Sequence, residues 1–302
     1  MTDYGHDLLF GTFITPTAQP AMQAVELAVV SDRAGLDLVT FQDHPYQPRF
    51  YDTWTLLSYA AARTTNVRLA PNVINLPLRM PSIIARSAAS LDLLSGGRVE
   101  LGIGTGAFWD AIEAMGGRRL TPGQSIEALE EAITIIRDLW AADIRGGVRV
   151  SGEYYQVVGA KRGPAPAHPI GIWVGAYKPR LLGLTGRLGD GWLPSQAYLK
   201  GGIADLREMN QHIDEGALSV GREPSAVRRM LNISGRFSRA GAGFLDGMPK
   251  QWAEQLAAVT LEYGISAFIL GAEDAGTIEL FAAEVAPAVR ELVAAERARQ
   301  SV

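Results

Sequence analysis

The chain of 302 residues contains no cysteine. This absence excludes disulfide bonds, thiolate metal sites, iron–sulfur clusters and a cysteine nucleophile. Long apolar runs are also missing, since none approaches the roughly 20 residues that a membrane-spanning helix needs. Residues 1–10 lack the charged and apolar regions of a secretory signal. We therefore expect a soluble, cytoplasmic protein that has no membrane partner.

Positive charge is not in excess. The 28 basic and 32 acidic residues give a net charge of −4, which argues against a nucleic-acid binder because such a protein should present a basic face. Apolar residues make up 47% of the chain, enough for a hydrophobic core. No linker or low-complexity segment divides the sequence, so we expect one domain over residues 1–302.

Short apolar runs alternate with longer helical patterns along the whole chain. The eight apolar runs predicted as strands cover residues 8–14, 38–41, 67–74, 99–103, 170–174, 192–193, 230–233 and 267–270. Residues 148–158 alternate around a Ser-Gly-Glu turn and suit a hairpin inserted before the fifth run. The pattern predicts an α/β fold, a (β/α)8 TIM-type barrel with an insertion before strand five, and the alternative is a doubly wound open sheet.

The second predicted strand ends in a candidate for proton transfer. TIM barrels place their active sites where strands end and βα loops begin, and here the chain continues as Gln42-Asp43-His44-Pro45. His44 titrates near neutral pH and can take or give a proton, while Asp43 could orient it or bind a ligand. The alternative is an Asp–His pair that only opens a loop. None of the four histidines pairs with another at i,i+4, so we expect no histidine metal site.

The third and fourth predicted strands end in residues that suit a flat ligand. The third ends in Ala70-Pro71-Asn72-Val73-Ile74-Asn75-Leu76-Pro77, and its asparagine amides can face a bound molecule. The fourth ends in Gly104-Thr105-Gly106-Ala107-Phe108-Trp109, where glycines permit close backbone approach and two aromatic side chains follow. The glycine spacing does not satisfy G-x-G-x-x-G, so no dinucleotide-binding motif is predicted. The alternatives are a turn at the third strand and a packed corner at the fourth.

The fifth predicted strand leads into a helix start that suits a phosphate. Its end reads Gly175-Ala176-Tyr177-Lys178-Pro179-Arg180, and proline is favoured in the first turn of a helix. Free backbone N–H groups at that start, flanked by Lys178 and Arg180, would bind an anion. A solvated basic helix start is the alternative.

Three segments together resemble the bacterial luciferase-like flavin- and deazaflavin-dependent oxidoreductases. They are Asp43-His44-Pro45, the stretch Ser90-Leu91-Asp92-Leu93-Leu94-Ser95-Gly96-Gly97-Arg98 with its downstream Gly-Ile-Gly-Thr-Gly, and Gly189-Asp190-Gly191-Trp192. The resemblance covers roughly residues 8–290. It implies a (β/α)8 barrel with an insertion before strand five, a homodimer, and a bound coenzyme F420 or FMN whose ring lies at the carboxyl ends of the strands.

The resemblance also implies roles for single residues. Asn72 and Val73 match a strand-three bulge where a non-proline cis peptide supports the ring, and His44 matches the active-site histidine. The remaining residues expected to bind the cofactor are Asp43, Gly104, Thr105, Gly106, Gly175, Ala176, Lys178 and Arg180. F420 is favoured, because residues 175–192 look closer to the deazaflavin branch than to the branch with a Gly-x-Ser phosphate loop.

One departure from the family pattern concerns the substrate. Sugar-phosphate and alcohol dehydrogenases of the deazaflavin branch carry a glutamate directly after Gly-Thr-Gly, where this chain has Ala107. We expect Ala107 to contact the substrate together with Phe13, Phe108 and Trp109, and we expect a small apolar or aromatic substrate that is reduced, oxidised or monooxygenated. The alternatives are a non-catalytic flavin-binding barrel, and a barrel aldolase or isomerase, which would want a catalytic lysine or paired carboxylates at strand ends.

Overall fold

The computed structural model describes residues 3–241 and 243–300 and contains alternating strands and helices. Its strands are β1 (Leu9–Ile14), β2 (Leu38–Phe41), β3 (Arg68–Pro71), β4 (Ile74–Asn75), β5 (Leu101–Gly104), β6 (Val148–Ser151), β7 (Gln156–Ala160), β8 (Ile172–Val174), β9 (Gly191–Trp192), β10 (Arg228–Ile233), β11 (Arg236–Phe237), β12 (Asp246–Gly247) and β13 (Ile265–Gly271). Its helices are α1 (Gln23–Arg33), α2 (Thr53–Arg63), α3 (Pro81–Ser95), α4 (Trp109–Ala114), α5 (Pro122–Trp140), α6 (Pro179–Leu188), α7 (Asp205–Leu218), α8 (Pro249–Tyr263), α9 (Ala275–Leu280) and α10 (Ala286–Gln300), with a π-helical turn at Phe281–Val285 and 3-10 turns at Leu76–Leu78, Gln196–Tyr198, Gly202–Ala204 and Pro224–Ala226.

Nine parallel strands form a nearly closed barrel in the order β3-β2-β1-β13-β10-β9-β8-β5-β4. The two outermost strands, β3 and β4, are the halves of one predicted strand, divided at residues 72 and 73. β3 pairs with β2 and β4 pairs with β5. Backbone bonds from Leu69 to Arg98 and Glu100 then join β3 to the segment before β5. The predicted (β/α)8 barrel is confirmed, and the open-sheet alternative is wrong.

The predicted insertion is an antiparallel hairpin of β6 and β7, which lies before β8 as expected. Its turn is fixed to α5 by one side chain. The Glu131 carboxylate accepts the backbone N–H groups of Glu153, Tyr154 and Tyr155 at 2.8, 3.0 and 2.9 Å. The hairpin is therefore held against the outer helices and leaves the barrel strands uninterrupted.

Side chains alternate between the barrel interior and the helix layer, as the period of two in a strand requires. In β10, Met230 joins the interior cluster, whereas Leu231 and Ile233 pack with the helices. The interior is filled mainly by Leu38, Ala70, Trp173, Leu193, Met230, Ala267 and Ile269, with Phe13 and Val73 packed against them. The barrel interior is thus a packed core, as is typical of TIM barrels.

Residues 90–98, one of the three segments that carry the family resemblance, lie at the amino-terminal face of the barrel, opposite the carboxyl end. Asp92, fully buried in α3, accepts the backbone N–H groups of Val99 and Ala167 and pairs with Nδ1 of His168 at 2.9 Å. Arg98 donates to backbone carbonyl groups that include those of Ala61, Thr64, Val67 and Ser95. Residues at this face of a TIM barrel serve stability.

Membrane and metal signals are absent from the part of the chain that the structure describes. No helix there is long and apolar enough to cross a membrane. No group of three or more His, Asp or Glu side chains there could hold a metal ion.

Candidate active site

The mouth of the barrel gathers the predicted site residues from distant parts of the sequence. His44 follows β2, Asn72 follows β3, and Gly175 follows β8. Since the strands are parallel, their carboxyl ends meet at one face of the barrel. The structure therefore brings these residues to the same end, opposite the face that holds Asp92 and Arg98.

The carboxylate of Asp43 is fully engaged within the protein. Asp43 is 1% exposed, and Arg79 donates to it through Nε at 2.8 Å and Nη2 at 2.7 Å. The backbone N–H of Asn75 donates to the same group at 2.9 Å. Asp43 therefore fixes the loop after β2 and does not bond the ring of His44. Its direct contact with a cofactor stays a prediction.

The imidazole of His44 is held by aromatic contacts. It stacks on Tyr46 with ring centroids 5.4 Å apart and meets the ring of Phe108 edge-on at 5.4 Å. Burial lowers the pKa of His44, and the charge of Asp43 opposes that effect. The ring is thus neutral near pH 7 and able to accept a proton.

A chain of hydrogen-bonded polar side chains crosses the mouth, and Asn72 is its one member that the sequence predicted as a site residue. Asn72 donates to Asn232 at 2.7 Å, and Asn232 donates back at 3.1 Å. Asn72 also donates to Oγ1 of Thr40 at 3.1 Å, and Asn232 donates to Oγ of Ser195 at 3.0 Å. These bonds hold β2, β3 and β10 together directly beneath the mouth.

The peptide bond between Asn72 and Val73 is cis, as the resemblance predicted. Three glycines around Val73 leave space for its side chain. A Cβ on Gly104 would lie 2.7 Å from Cγ2 of Val73, and Cβ atoms on Gly102 and Gly175 would lie within 3.2 and 3.4 Å of its methyl groups. Val73 therefore forms a small apolar platform in the mouth, which we call the Val73 platform.

The predicted anion site lies at the start of α6. Lys178 occupies the N-cap position without a capping side chain, so the first-turn N–H groups lack the intrahelical partners of later turns. Trp192 donates to the carbonyl of Ala176 at 2.9 Å and fixes the preceding loop. Arg180 instead reaches Glu127 of α5, with Nη2 and Oε1 2.7 Å apart. No pattern in the sequence predicts this ion pair.

The residues predicted to contact the substrate differ in their exposure and depth at the mouth. Ala107 and Phe108 follow Gly106, and Phe108 is 52% exposed. Thr105 beside them is half-buried, while Trp109 begins α4 and Phe13 lies deeper, against the interior cluster. A further aromatic pair follows β8 and β9, where Tyr177 and Tyr198 meet edge-on at 5.6 Å. The mouth is therefore walled mainly by aromatic rings.

The fold and the mouth together define a TIM-type barrel whose carboxyl-terminal face holds the Val73 platform and the uncapped start of α6. A family model described as luciferase-like monooxygenase matches residues 6–237. The chain belongs to this family, and the predicted resemblance is confirmed.

Relatives and structural neighbours carry related names. An F420-dependent glucose-6-phosphate dehydrogenase of Kribbella flavida is 32% identical over 221 residues, 71% of this chain and 65% of the relative. The chain thus matches slightly less than two thirds of that relative's length. An F420-dependent secondary alcohol dehydrogenase superposes with a TM-score of 0.81 at 20% identity, covering 94% of this chain and 99% of the other. A type II Baeyer–Villiger monooxygenase of Pseudomonas putida with FMN gives 0.76 at 19% identity, covering 93% and 98%. At these identities the two superpositions establish the fold alone.

Proposed function

We propose that this protein is an oxidoreductase that uses coenzyme F420, or FMN in its place, to reduce, oxidise or monooxygenate a small apolar or aromatic substrate. The observation that carries the proposal is the Val73 platform at the same face as the uncapped start of α6. A flat ring compound that carries a phosphate would place its ring on the platform and its phosphate at the helix start. F420 is favoured because the relatives matched by sequence are named as F420-dependent.

The residues present fit such a cofactor. Gly104 lacks the Cβ atom that would displace Val73, and Gly175 adds no side chain beside it, so a planar ring can rest against the platform and against the backbone of residues 104–106. Lys178 and the first turn of α6 would hold the phosphate. When bound, F420 supplies hydride transfer and reduced FMN supplies oxygen activation.

His44 would transfer a proton to and from the substrate. Within residues 3–241 and 243–300 no hydrogen bond to its ring is found, so both nitrogens remain available to a ligand. The neutral ring would take a proton from a substrate hydroxyl group, and the imidazolium formed in this way would return it to a substrate oxygen in the reverse direction. Asp43 and Arg79 keep the backbone beside it in place.

The aromatic walls support an apolar substrate over a sugar phosphate. Ala107 offers no carboxylate, and the neighbouring Phe108 presents an exposed ring. Burying apolar area there is favourable, whereas sugar hydroxyl groups would lose water without gaining partners. The named activities among the relatives and neighbours are enzymatic, which gives the non-catalytic alternative no support.

We also propose a homodimer. Tyr59 of α2 and Ile83 and Leu94 of α3 are large apolar side chains exposed on neighbouring outer helices. Exposed apolar groups on adjacent elements are typical of protein interfaces, and sedimentation of the purified protein would test this one. A single domain, a cytoplasmic location and the absence of a nucleic-acid partner stay predictions.

Reconstitution tests the proposed function. Purified protein is titrated with F420 and separately with FMN, followed by absorbance and fluorescence. The loaded protein is then offered glucose 6-phosphate, hydrophobic ketones and quinones. We expect binding of F420 and turnover of an apolar compound. Failure to bind either cofactor would refute the proposal, and efficient turnover of glucose 6-phosphate alone would refute its substrate class.

A further inference from the structure

Residues 3–7 precede β1 and lie at the amino-terminal end of the barrel, and we call them the strap. Arg297 of α10 donates to the carboxylate of Asp3 through Nε at 2.7 Å and Nη2 at 2.8 Å. The hydroxyl group of Tyr4 donates to the carboxylate of Asp214 in α7 at 2.9 Å. The strap is therefore fixed to two outer helices that are far away in the sequence.

Positive charge lies directly beneath the strap. Arg229 in β10 is fully buried, and its guanidinium carbon is 4.3 Å from the centroid of the Tyr4 ring. Such a cation is attracted to the face of the ring, and more strongly away from water. Beside it, Nη1 of Arg228 donates to the carbonyl oxygen of Asp7 at 2.7 Å. Two neighbouring arginines of β10 thus bind the strap from the barrel side.

His6 lies in the strap among three arginines. Nη2 of Arg297 donates to its carbonyl oxygen at 3.0 Å, while Arg228 and Arg229 contact the strap on either side of it. Nε2 of the His6 ring is buried and has no hydrogen-bond partner in the described part of the chain. Burial lowers the pKa of His6, and the charges of the three arginines lower it further, while the backbone of Ser225 opposes them. The ring is therefore neutral at pH 7 while the strap is in place.

The carboxylates around the strap are paired with arginines and leave the His6 ring without a partner. A charged His6 would lower the pKa of Asp3, but Arg297 already neutralises that carboxylate. No ion pair to the His6 ring is found within residues 3–241 and 243–300. The remaining charged and titratable groups are Tyr4 and Asp7 in the strap, Asp214 paired with Arg229, Glu100 paired with Arg68, and Asp37 paired with Arg290.

We propose that protonation of the His6 ring releases the strap from the amino-terminal end of the barrel. The released ring is surrounded by water and titrates near its ordinary pKa of about 6.5, whereas the docked ring resists protonation. Release therefore takes up a proton, so docking is strongest above about pH 6.5 and weakens as the pH falls below that value. The strap lies opposite the mouth of the barrel, and the proposal stands without the proposed function.

A spin label can report the release, because the chain has no cysteine that would compete for it. Asp7 has an exposed side chain and contacts Arg228 through its backbone carbonyl, so Asp7→Cys carries the label. Electron paramagnetic resonance separates a mobile, released strap from a constrained, docked one. Since one proton is taken up, we expect the ratio of released to docked strap to rise about three- to ten-fold from about pH 7.5 to about pH 5.5.

Two variants of the labelled protein identify the group that titrates. His6→Leu has no ring to protonate, so its ratio should change less than about two-fold over the same pH range. His212→Leu is the matched control, because it removes a partly buried histidine of α7 that faces Glu208 and Glu215. Its response should equal that of the labelled protein with both histidines.

Nuclear magnetic resonance of the unlabelled protein tests the same step even if His6→Leu folds poorly. The ring signals of His6 should titrate with a midpoint below 6.5 in the native protein. Tyr4→Ala removes the contacts with Arg229 and Asp214, so the strap should dock more weakly. The His6 midpoint should then rise toward about 6.5.

The proposal is wrong if the label spectrum of the native strap does not change with pH, or if the native His6 midpoint is 6.5 or higher. An unchanged midpoint in Tyr4→Ala overturns it as well, because the environment of His6 would then not depend on docking. A pH response that persists in His6→Leu would assign the release to another group, such as Asp214, whose pKa is raised by burial.

Discussion

Releasing Arg180 from Glu127 should tighten cofactor binding. The two side chains meet at 2.7 Å and are 58% and 47% exposed. Exposed ion pairs of this kind change an equilibrium by up to about five-fold. Glu127→Gln removes the charge but keeps an acceptor for the hydroxyl group of Tyr154, which donates to Glu127 at 2.9 Å. We therefore expect Glu127→Gln to bind F420 or FMN about two- to five-fold more tightly.

Arg180→Ala should act in the opposite direction. A hydrogen bond to a charged group contributes about 1.5–3 kcal/mol, so the loss of one phosphate contact weakens binding roughly ten- to hundred-fold. Fluorescence titration of the cofactor measures both variants. The gain in Glu127→Gln should shrink as salt is added, because ions screen exposed charges.

Arg187→Ala is the matched control, since it removes the same charge from the same helix. Arg187 lies in the last turn of α6 and faces Glu130 at 3.9 Å. Its replacement should alter affinity less than two-fold. Cofactor binding weakened by Glu127→Gln as much as by Arg180→Ala would contradict the prediction, because it would show that the phosphate needs the intact ion pair. An unchanged titration of Arg180→Ala would remove that residue from the site.

Three other predictions concern the mouth. His44→Gln should lower turnover by about 10²–10⁴-fold while cofactor affinity persists. In the native protein, burial lowers the pKa of His44. A pH–rate profile should therefore show that activity, which needs the neutral ring, falls only as pH drops through a midpoint below 6.5. Arg79→Leu leaves the buried carboxylate of Asp43 without its countercharge, so urea denaturation should show a loss of about 3–5 kcal/mol in the free energy of unfolding, and an unchanged midpoint would contradict this. Gly104→Ala would place a Cβ 2.7 Å from Val73 and should weaken cofactor binding at least about ten-fold, whereas native affinity would show that the ring does not rest there.

Local patterns in the sequence were enough to predict the barrel. Strand and helix periods depend on neighbouring residues, and each inward strand residue repeats at a spacing of two. The hairpin was predicted for the same reason, from the alternation around its turn. The split between β3 and β4 could not be derived this way, because residues 67–74 look like one continuous run. The cis peptide was predicted only through family resemblance.

The polar partners at the mouth could not be predicted, because they join residues that are far apart in sequence. Asn72 and Asn232 bond each other across 160 positions, and neither position shows what the other will meet. Tyr46 follows His44 by two residues in an irregular loop that has no period. One feature of the sequence was informative, since an apolar run ends in two asparagines, Asn72 and Asn75. The burial of these two side chains could not be derived from the sequence.

The barrel separates two groups of residues at its opposite ends. The amino-terminal end holds the buried contacts of Asp92 and Arg98, and the carboxyl end holds the exposed residues Ala107 and Phe108. Neither wall residue lies within a barrel strand, so replacing either one breaks no pairing between strands. A library randomised at these two positions should retain most of its folded members, because the contacts that close the barrel are untouched. Substitutions at these two positions can then change the substrate that the protein binds without compensating mutations in the core.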